Sequence, residues 1–169
     1  MRDTIVALLH KRGVRLTAIA EIVRELQLPY NPALSLEQCL ESVERVISKR
    51  EVQHAILTGV VLDMVAEKDA LPEPLLGIIK EDHPLYGIDE IMALSITNVY
   101  GSIGLTNFGY LDKKKSGILE RLNDKSNGSV NTFLDDIVAG IAAAAAARLA
   151  HRAEAEAENG DGLADAQEA

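Results

Sequence analysis

The sequence contains no tryptophan, a single cysteine and few aromatic residues, which make up 4% of its 169 residues. One cysteine, Cys39, excludes a disulfide within the chain and is typical of proteins from a reducing compartment. Hydrophobic residues nevertheless reach 47%, which is too high for a disordered protein. Alanine, valine, isoleucine and leucine supply most of this apolar surface, and such side chains favour a core of packed helices.

Basic residues are also fewer than acidic ones. The formal net charge is −9 and the isoelectric point is about 4.9. Without a basic stripe to contact phosphates along a backbone, nucleic acid is not expected as a partner. The negative charge is concentrated at the end of the chain, because residues 152–169 carry six acidic residues and one basic residue.

Long apolar runs are absent as well. The longest one in the last third, residues 137–147, has 11 residues, whereas a membrane-spanning helix needs about 20. Arg2 and Asp3 are followed by no long apolar stretch, so no signal peptide is expected. These features predict a cytoplasmic protein without a transmembrane span, and they leave a peripheral membrane contact and a homo-oligomer open.

Apolar residues recur along most of the chain with the period of an α-helix, and no segment shows the alternation of apolar and polar residues that is typical of a strand. The sequence predicts an all-α, single-domain bundle of about six to eight helices over residues 1–151. Residues 1–82 contain no chemical motif, residues 83–151 contain the motifs described below, and residues 152–169 form an acidic tail that extends the last helix or is disordered. The predicted fourth helix, about residues 51–68, is apolar on more than one face and is expected at the centre of the bundle.

Two acidic pairs, Asp89-Glu90 and Asp135-Asp136, occur in near-identical contexts. Each pair follows an apolar residue and precedes isoleucine, another apolar residue and alanine. Taken singly, each pair is explained by its position in the first turn of a helix, where carboxylates are favoured by the helix dipole. Two such helix starts packed together would gather four carboxylates that repel one another unless they bind a cation. Oxygen ligands of this kind suit Mg²⁺ or Mn²⁺.

A second segment in the same half of the chain supplies positive charge. Asp112 is followed by Lys113, Lys114 and Lys115, and a lysine can bind phosphate as a point charge. For Lys113 and Lys114 a solvated turn is the preferred interpretation. No pattern resembles a nucleophile triad, a glycine-rich phosphate loop or a zinc site.

Residues 86–151 resemble the phosphatidylglycerophosphatase A family. The first family motif is matched by the segment around Asp89-Glu90, and the second by residues 108–115, in which Asp112 precedes Lys115. The third runs from Asp124 through Gly128 to Asp135-Asp136 and then Ala-Gly. The chain departs from the family pattern at positions 109 and 116, where glycine and serine stand in place of the usual arginine and proline.

The resemblance implies a Mg²⁺-dependent enzyme of phospholipid metabolism that removes the terminal phosphate of phosphatidylglycerophosphate. By this analogy Asp89, Glu90, Asp135 and Asp136 hold Mg²⁺ (or Mn²⁺), while Asp112 and Lys115 serve catalysis. The substrate would be a lipid headgroup or a small phosphorylated molecule. Two alternatives remain open at this point. One is an all-α hydrolase of nucleotides or sugar phosphates, and the other is a helical interaction protein, without enzyme activity, whose acidic pairs are helix caps.

Overall fold

A computed structural model describes residues 1–165, with side chains described for residues 1–126 and 128–155. The regular secondary structure of this part of the chain is helical throughout, without a strand, which confirms the all-α, single-domain prediction. Residues 1–165 form nine α-helices. They are α1 (Arg2–Lys11), α2 (Leu16–Gln27), α3 (Leu36–Ile47), α4 (Arg50–Ala66), α5 (Leu75–Glu81), α6 (Ile88–Thr97), α7 (Gly101–Lys114), α8 (Ile118–Leu122) and α9 (Leu134–Asp165). Of these, α5 and α8 are short, with seven and five residues.

The last helix has the largest set of neighbours. It packs against α2, α3, α4, α6, α7 and α8. All six alanines at positions 142–147 are fully buried, because their short side chains let neighbouring helices approach the α9 backbone closely. The expectation that the fourth helix is central is not confirmed, since α4 packs against a smaller set, α1, α3, α5, α6 and α9.

Small residues set the distance between α6 and α9. A Cβ added to Gly140 would lie 3.0 Å from the backbone oxygen of Ala93 and 3.3 Å from its Cβ. Ala93 lies four residues after Asp89, and Gly140 lies four residues after Asp136. Since residues four apart share one face of a helix, the close approach at Ala93 and Gly140 brings the two acidic helix starts together.

Replacing Gly140 with valine should therefore separate α6 from α9. Overpacking of this kind typically costs about 1–3 kcal/mol, because Ala93 presents backbone as well as its methyl group to the added atoms. We expect a lower unfolding midpoint in urea and weaker binding of Mn²⁺. Gly109→Ala is the control, because an added Cβ there meets nothing within 4 Å. Equal effects of the two substitutions would contradict the proposed spacing role.

The C-terminal segment continues α9. The helix runs without interruption past residue 151 as far as Asp165. The rest of the predicted tail, residues 166–169, lies outside the described residues. Among the helices of the described part, none combines the length and apolar character needed to cross a membrane.

Candidate metal centre

The first acidic pair lies in the first turn of α6. Gly87 precedes the helix with φ +71°, a left-handed conformation that glycine adopts without steric cost. This turn directs Asp89 inward, where the residue is 7% exposed. One of its carboxylate oxygens, Oδ1, is buried without a hydrogen-bond partner. A buried acceptor of this kind is costly unless something cationic or a donor occupies the space beside it.

The second acidic pair lies in the first turn of α9, but this helix is capped from elsewhere. The carboxylate of Asp63, on α4, accepts hydrogen bonds from the backbone N–H groups of Phe133 at 3.1 Å and Leu134 at 2.9 Å. The Thr132 hydroxyl, just before the helix, donates to the Ile79 carbonyl oxygen instead. The α9 start is thereby fixed against both α4 and α5.

Three of the four paired acids converge. Asp89, Glu90 and Asp136 each offer a carboxylate oxygen, and these oxygens all lie within 4.8 Å of one another. Asp136 is 4% exposed, so the group is largely shielded from water. This spacing is compatible with one shared cation, since oxygen ligands lie about 2.0–2.6 Å from Mg²⁺ or Ca²⁺.

Lys115 lies beside this cluster. Its Nζ is 2.8 Å from Asp112 Oδ1, 2.8 Å from Asp135 Oδ2 and 3.3 Å from Asp136 Oδ1. The residue follows α7 in a left-handed conformation, φ 49°, which turns its side chain toward α9 rather than along the direction of the preceding lysines. The ammonium therefore connects the α7 end to both acids of the second pair.

Three carboxyl groups of this region, Glu90, Asp135 and Asp136, have raised pKa values, and burial is the largest cause in each. Burial, and then the charge of Asp135, raise the pKa of Asp136 to about 8. Burial and the adjacent Asp89 carboxyl raise the pKa of Glu90. Burial also raises the pKa of Asp135, although the Lys115 ammonium opposes that rise. For Lys115, burial would lower the pKa, but the surrounding carboxylates outweigh it and raise the value.

These features fit a divalent cation. The three-oxygen group and the contacts of Lys115 together involve five carboxyl groups (Asp89, Glu90, Asp112, Asp135 and Asp136), and the Lys115 ammonium contacts three of them. The excess negative charge and the unpartnered Asp89 oxygen are both relieved by a cation between the two helix starts. An all-oxygen donor set suits Mg²⁺ or Mn²⁺ rather than zinc.

The remaining site residues differ in their surroundings. Asp135 contacts Lys115 and accepts a hydrogen bond from the Asp136 N–H, so it borders the three-oxygen group rather than joining it. Lys114 pairs with Glu25 on α2 at 2.8 Å. Sequence reasoning missed Asp63, which is fully buried; the available signal was a lone acid in the apolar run of α4.

The raised pKa of Asp136 makes stability dependent on pH. Its value is about 8 in the folded protein against an ordinary 3.8, so the folded state binds the proton more tightly than the unfolded state does. This contribution is complete below about pH 4 and is lost as pH rises to about 8, with a limiting slope of about 1.4 kcal/mol per pH unit. Asp63, whose burial also raises its pKa to about 8, acts in the same direction.

We therefore expect the metal-free protein to lose stability relative to Asp136→Asn as pH rises from about 5 to about 8. Mg²⁺ should stabilise the unsubstituted protein more at the upper end, because protons no longer compete for the carboxylates. Thermal unfolding at several pH values measures both effects. A stability difference between the two proteins that does not change with pH would contradict this prediction.

Comparison with known proteins identifies one family. The family model of phosphatidylglycerophosphatase A matches residues 5–151. The match confirms the resemblance seen in the motifs and extends it to the N-terminal helices, which carry no motif of their own. The Bacillus subtilis protein described as uncharacterized protein YpjQ is 59% identical over 151 residues, covering 89% of this chain and 85% of that protein.

Solved structures of relatives share the fold. A protein of unknown function from Bacillus stearothermophilus is 62% identical, with a TM-score of 0.89, and the alignment covers 90% of this chain and 95% of that one. The low temperature requirement C protein from Listeria monocytogenes is 56% identical, also with a TM-score of 0.89, covering 90% of this chain and 96% of that one.

Proposed function

Because the chain belongs to the phosphatidylglycerophosphatase A family, we propose that it is a Mg²⁺-dependent phosphatase that hydrolyses a terminal phosphate monoester. The observation that carries this proposal is the group of three carboxylate oxygens within 4.8 Å, contributed by Asp89, Glu90 and Asp136. These residues would hold Mg²⁺ or Mn²⁺. Asp135, the fourth acid predicted to hold the metal, would act through its contact with Lys115.

A divalent cation bound here would supply charge neutralisation for a phosphoryl group in its transition state. Lys115 has three N–H donors, and all three are matched by carboxylates of Asp112, Asp135 and Asp136. A phosphate oxygen must replace one of these acceptors to bind the ammonium. Asp112 is the most exposed of the three, at 39%, so its contact is the easiest to exchange.

Once displaced from Lys115, the Asp112 carboxylate is available to accept a hydrogen bond from water. It would thereby orient a water molecule toward phosphorus, opposite the departing alcohol oxygen. Asp135 meanwhile keeps the ammonium in position. The buried carboxylates of α6 and α9 exclude bulk water from one side of this site.

Phosphate release tests the proposal directly. The substrates are phosphatidylglycerophosphate in mixed micelles, glycerol 3-phosphate, a sugar phosphate and a nucleoside monophosphate, each with Mg²⁺ and with EDTA. Metal-dependent release from the lipid or from glycerol 3-phosphate supports the proposal. Release from the nucleotide alone favours the alternative of a nucleotide hydrolase, and no release from any substrate overturns the enzyme interpretation.

Exposed apolar residues adjoin the proposed site and support a lipid substrate. Leu85 is fully exposed, Ile88 is 50% exposed and Ile91 is 62% exposed. Leu85 belongs to the loop before α6, and its carbonyl oxygen and Glu90 Oε2 both lie within about 4 Å of the position of a Cβ on Gly87. In a lipid phosphate, the acyl chains and the phosphate are joined through one headgroup, so an apolar surface is expected close to the phosphate site.

Replacing both Leu85 and Ile91 with serine should reduce hydrolysis of the lipid substrate and leave hydrolysis of a water-soluble phosphate unchanged. We expect activity on phosphatidylglycerophosphate in vesicles to fall by about tenfold or more, since each side chain buried in a bilayer is worth about 1.5–3 kcal/mol. Activity on glycerol 3-phosphate should remain unchanged. Tyr30→Ser is the control, because Tyr30 is 83% exposed in the loop between α2 and α3. An equal fall on both substrates would contradict a membrane-contact role.

A further inference from the structure

A cavity of about 200 Å³ adjoins the candidate metal centre. It lies between the end of α5 and the loop from α8 to α9, and Asp135 forms part of its wall. The same Asp135 carboxylate contacts Lys115 Nζ at 2.8 Å, so a phosphate on Lys115 would be one side chain away from the cavity.

The charged groups of the cavity wall are balanced, and they stand beside apolar surface from Leu122 and Val130. Among the described residues that line it, Lys80 and Lys125 carry positive charge, and Asp82 and Asp135 carry negative charge. Lys125 Nζ lies 3.0 Å from Asp82 Oδ2 and also donates to the Glu81 carbonyl oxygen at 3.2 Å. These contacts join the α8–α9 loop to the end of α5 across the cavity.

Such a wall suits hydroxyl groups better than a second phosphate. A hydroxyl both donates and accepts hydrogen bonds, so it can use the carboxylates, the ammonium groups and the Asn123 amide together. A second phosphate would meet two lysines that already have carboxylate partners, together with the negative charges of Asp82 and Asp135. Balanced charged groups beside apolar side chains therefore match a polyol, which carries hydroxyl groups on a carbon chain.

We propose that this cavity binds the hydroxyl-bearing group, a glycerol or a sugar, to which the hydrolysed phosphate is esterified. The inference rests on the proposed phosphatase function and adds a recognition site for the alcohol portion of the substrate. It also gives a role to the loop between Asp124 and Asp135, the third sequence motif, because this loop forms one wall of the cavity. Lys125 and Asn123 are the residues assigned to recognition.

Two non-hydrolysable probes test the assignment without turnover. One is 3,4-dihydroxybutylphosphonate, which mimics glycerol 3-phosphate, and the other is butylphosphonate, which lacks both hydroxyl groups. Isothermal titration in the presence of Mg²⁺ should show the dihydroxy probe binding at least about tenfold more tightly, since each added hydrogen bond contributes a net factor of this order. Equal affinities would overturn the proposal.

Substitutions then locate the effect. Lys125→Met and Asn123→Leu should each reduce the preference for the dihydroxy probe to about threefold or less. Lys114→Met is the matched control, because Lys114 is also an exposed lysine paired with a carboxylate, and it should retain the full preference. A preference that survives both cavity substitutions, or that falls equally in the control, places the hydroxyl groups elsewhere and overturns the assignment.

Activity assays separate this inference from the function on which it rests. If the dihydroxy probe is preferred but no phosphate is released from any substrate, the phosphatase proposal fails and the polyol site stands. If phosphate is released but the probes bind equally, the phosphatase stands and the polyol site fails. Comparing phosphatidylglycerophosphate vesicles with free glycerol 3-phosphate shows whether the polyol comes from a lipid headgroup or from a small molecule.

Discussion

Replacing Asp136 with asparagine is expected to abolish stabilisation by Mg²⁺ or Mn²⁺ and to make the metal-free protein at least as stable as before. Asp136 is the one residue of α9 in the three-carboxylate group. The charges of Asp135, Asp112 and Asp89 all raise its pKa, so ionised Asp136 is repelled by its neighbours. Asparagine keeps the shape of the side chain while it removes both the repulsion and a metal ligand.

The size of the effect can be estimated from ligand linkage. A metal at about 100 times its dissociation constant stabilises the folded state by about 2.7 kcal/mol. For a protein of this size, such a change raises the unfolding temperature by roughly 5–10 °C. Asp136→Asn should show about none of this rise, and phosphatase activity should fall by at least about 100-fold, since even an outer partner of a metal ligand is worth 10–100-fold.

Asp3→Asn is the matched control, because the Asp3 side chain is 99% exposed and the chemical change is identical. Differential scanning fluorimetry with and without metal measures the stability change, and phosphate release measures activity. If Asp136→Asn keeps the full rise in unfolding temperature, the metal is bound elsewhere. If the metal-free variant is markedly less stable than the unsubstituted protein, the carboxylates are not in repulsive contact.

Local patterns in the sequence were sufficient to predict the helical class and to single out two equivalent helix starts. The reason is that an acidic pair followed by isoleucine, another apolar residue and alanine recurs in both, at residues 89–93 and 135–139. The acids give each helix start its charge, and small residues one turn later, Ala93 on α6 and Gly140 on α9, let the two helices touch. Both properties belong to residues that are close together in sequence, so the sequence alone is sufficient to predict them.

The direction of each side chain within a pair could not be predicted from local sequence in the same way. Consecutive residues of an α-helix point about 100° apart, so the sequence does not show whether both acids of a pair reach one place. On α6, Asp89 and Glu90 both contribute to the three-oxygen group. On α9, Asp136 faces the α6 acids while Asp135 faces Lys115. The position of Lys115 depends on its left-handed backbone at the end of α7, which the run of three lysines does not reveal.

The contribution of the N-terminal half was hidden for a different reason. Asp63 and its partners Phe133 and Leu134 are about 70 residues apart in sequence, and their contact depends on how α4 packs against α9. No local pattern encodes that packing. The motif resemblance accordingly began at residue 86, whereas the family match begins at residue 5 and includes the helix that caps α9.

Replacing Asp63 with leucine should destabilise the protein strongly and weaken metal binding as well. The buried N–H groups of Phe133 and Leu134 would lose their acceptors, at a cost of about 1–3 kcal/mol for each unsatisfied donor. Removing a carboxyl group whose pKa is raised to about 8 by burial offsets part of this cost. The net loss should be about 2–4 kcal/mol, measured by urea denaturation.

Replacing Asp63 with asparagine distinguishes the role of residue 63 as a helix cap from the effect of its charge. Its amide oxygen can still accept a hydrogen bond at the start of α9, so Asp63→Asn should lose about 1 kcal/mol or less and keep most of the affinity for Mn²⁺. In Asp63→Leu, faster hydrogen exchange at the Phe133 and Leu134 amides should accompany weaker Mn²⁺ binding, because the turn that presents Asp136 is no longer fixed. Unchanged exchange and unchanged Mn²⁺ affinity in the leucine variant would show that Asp63 does not position the α9 acids.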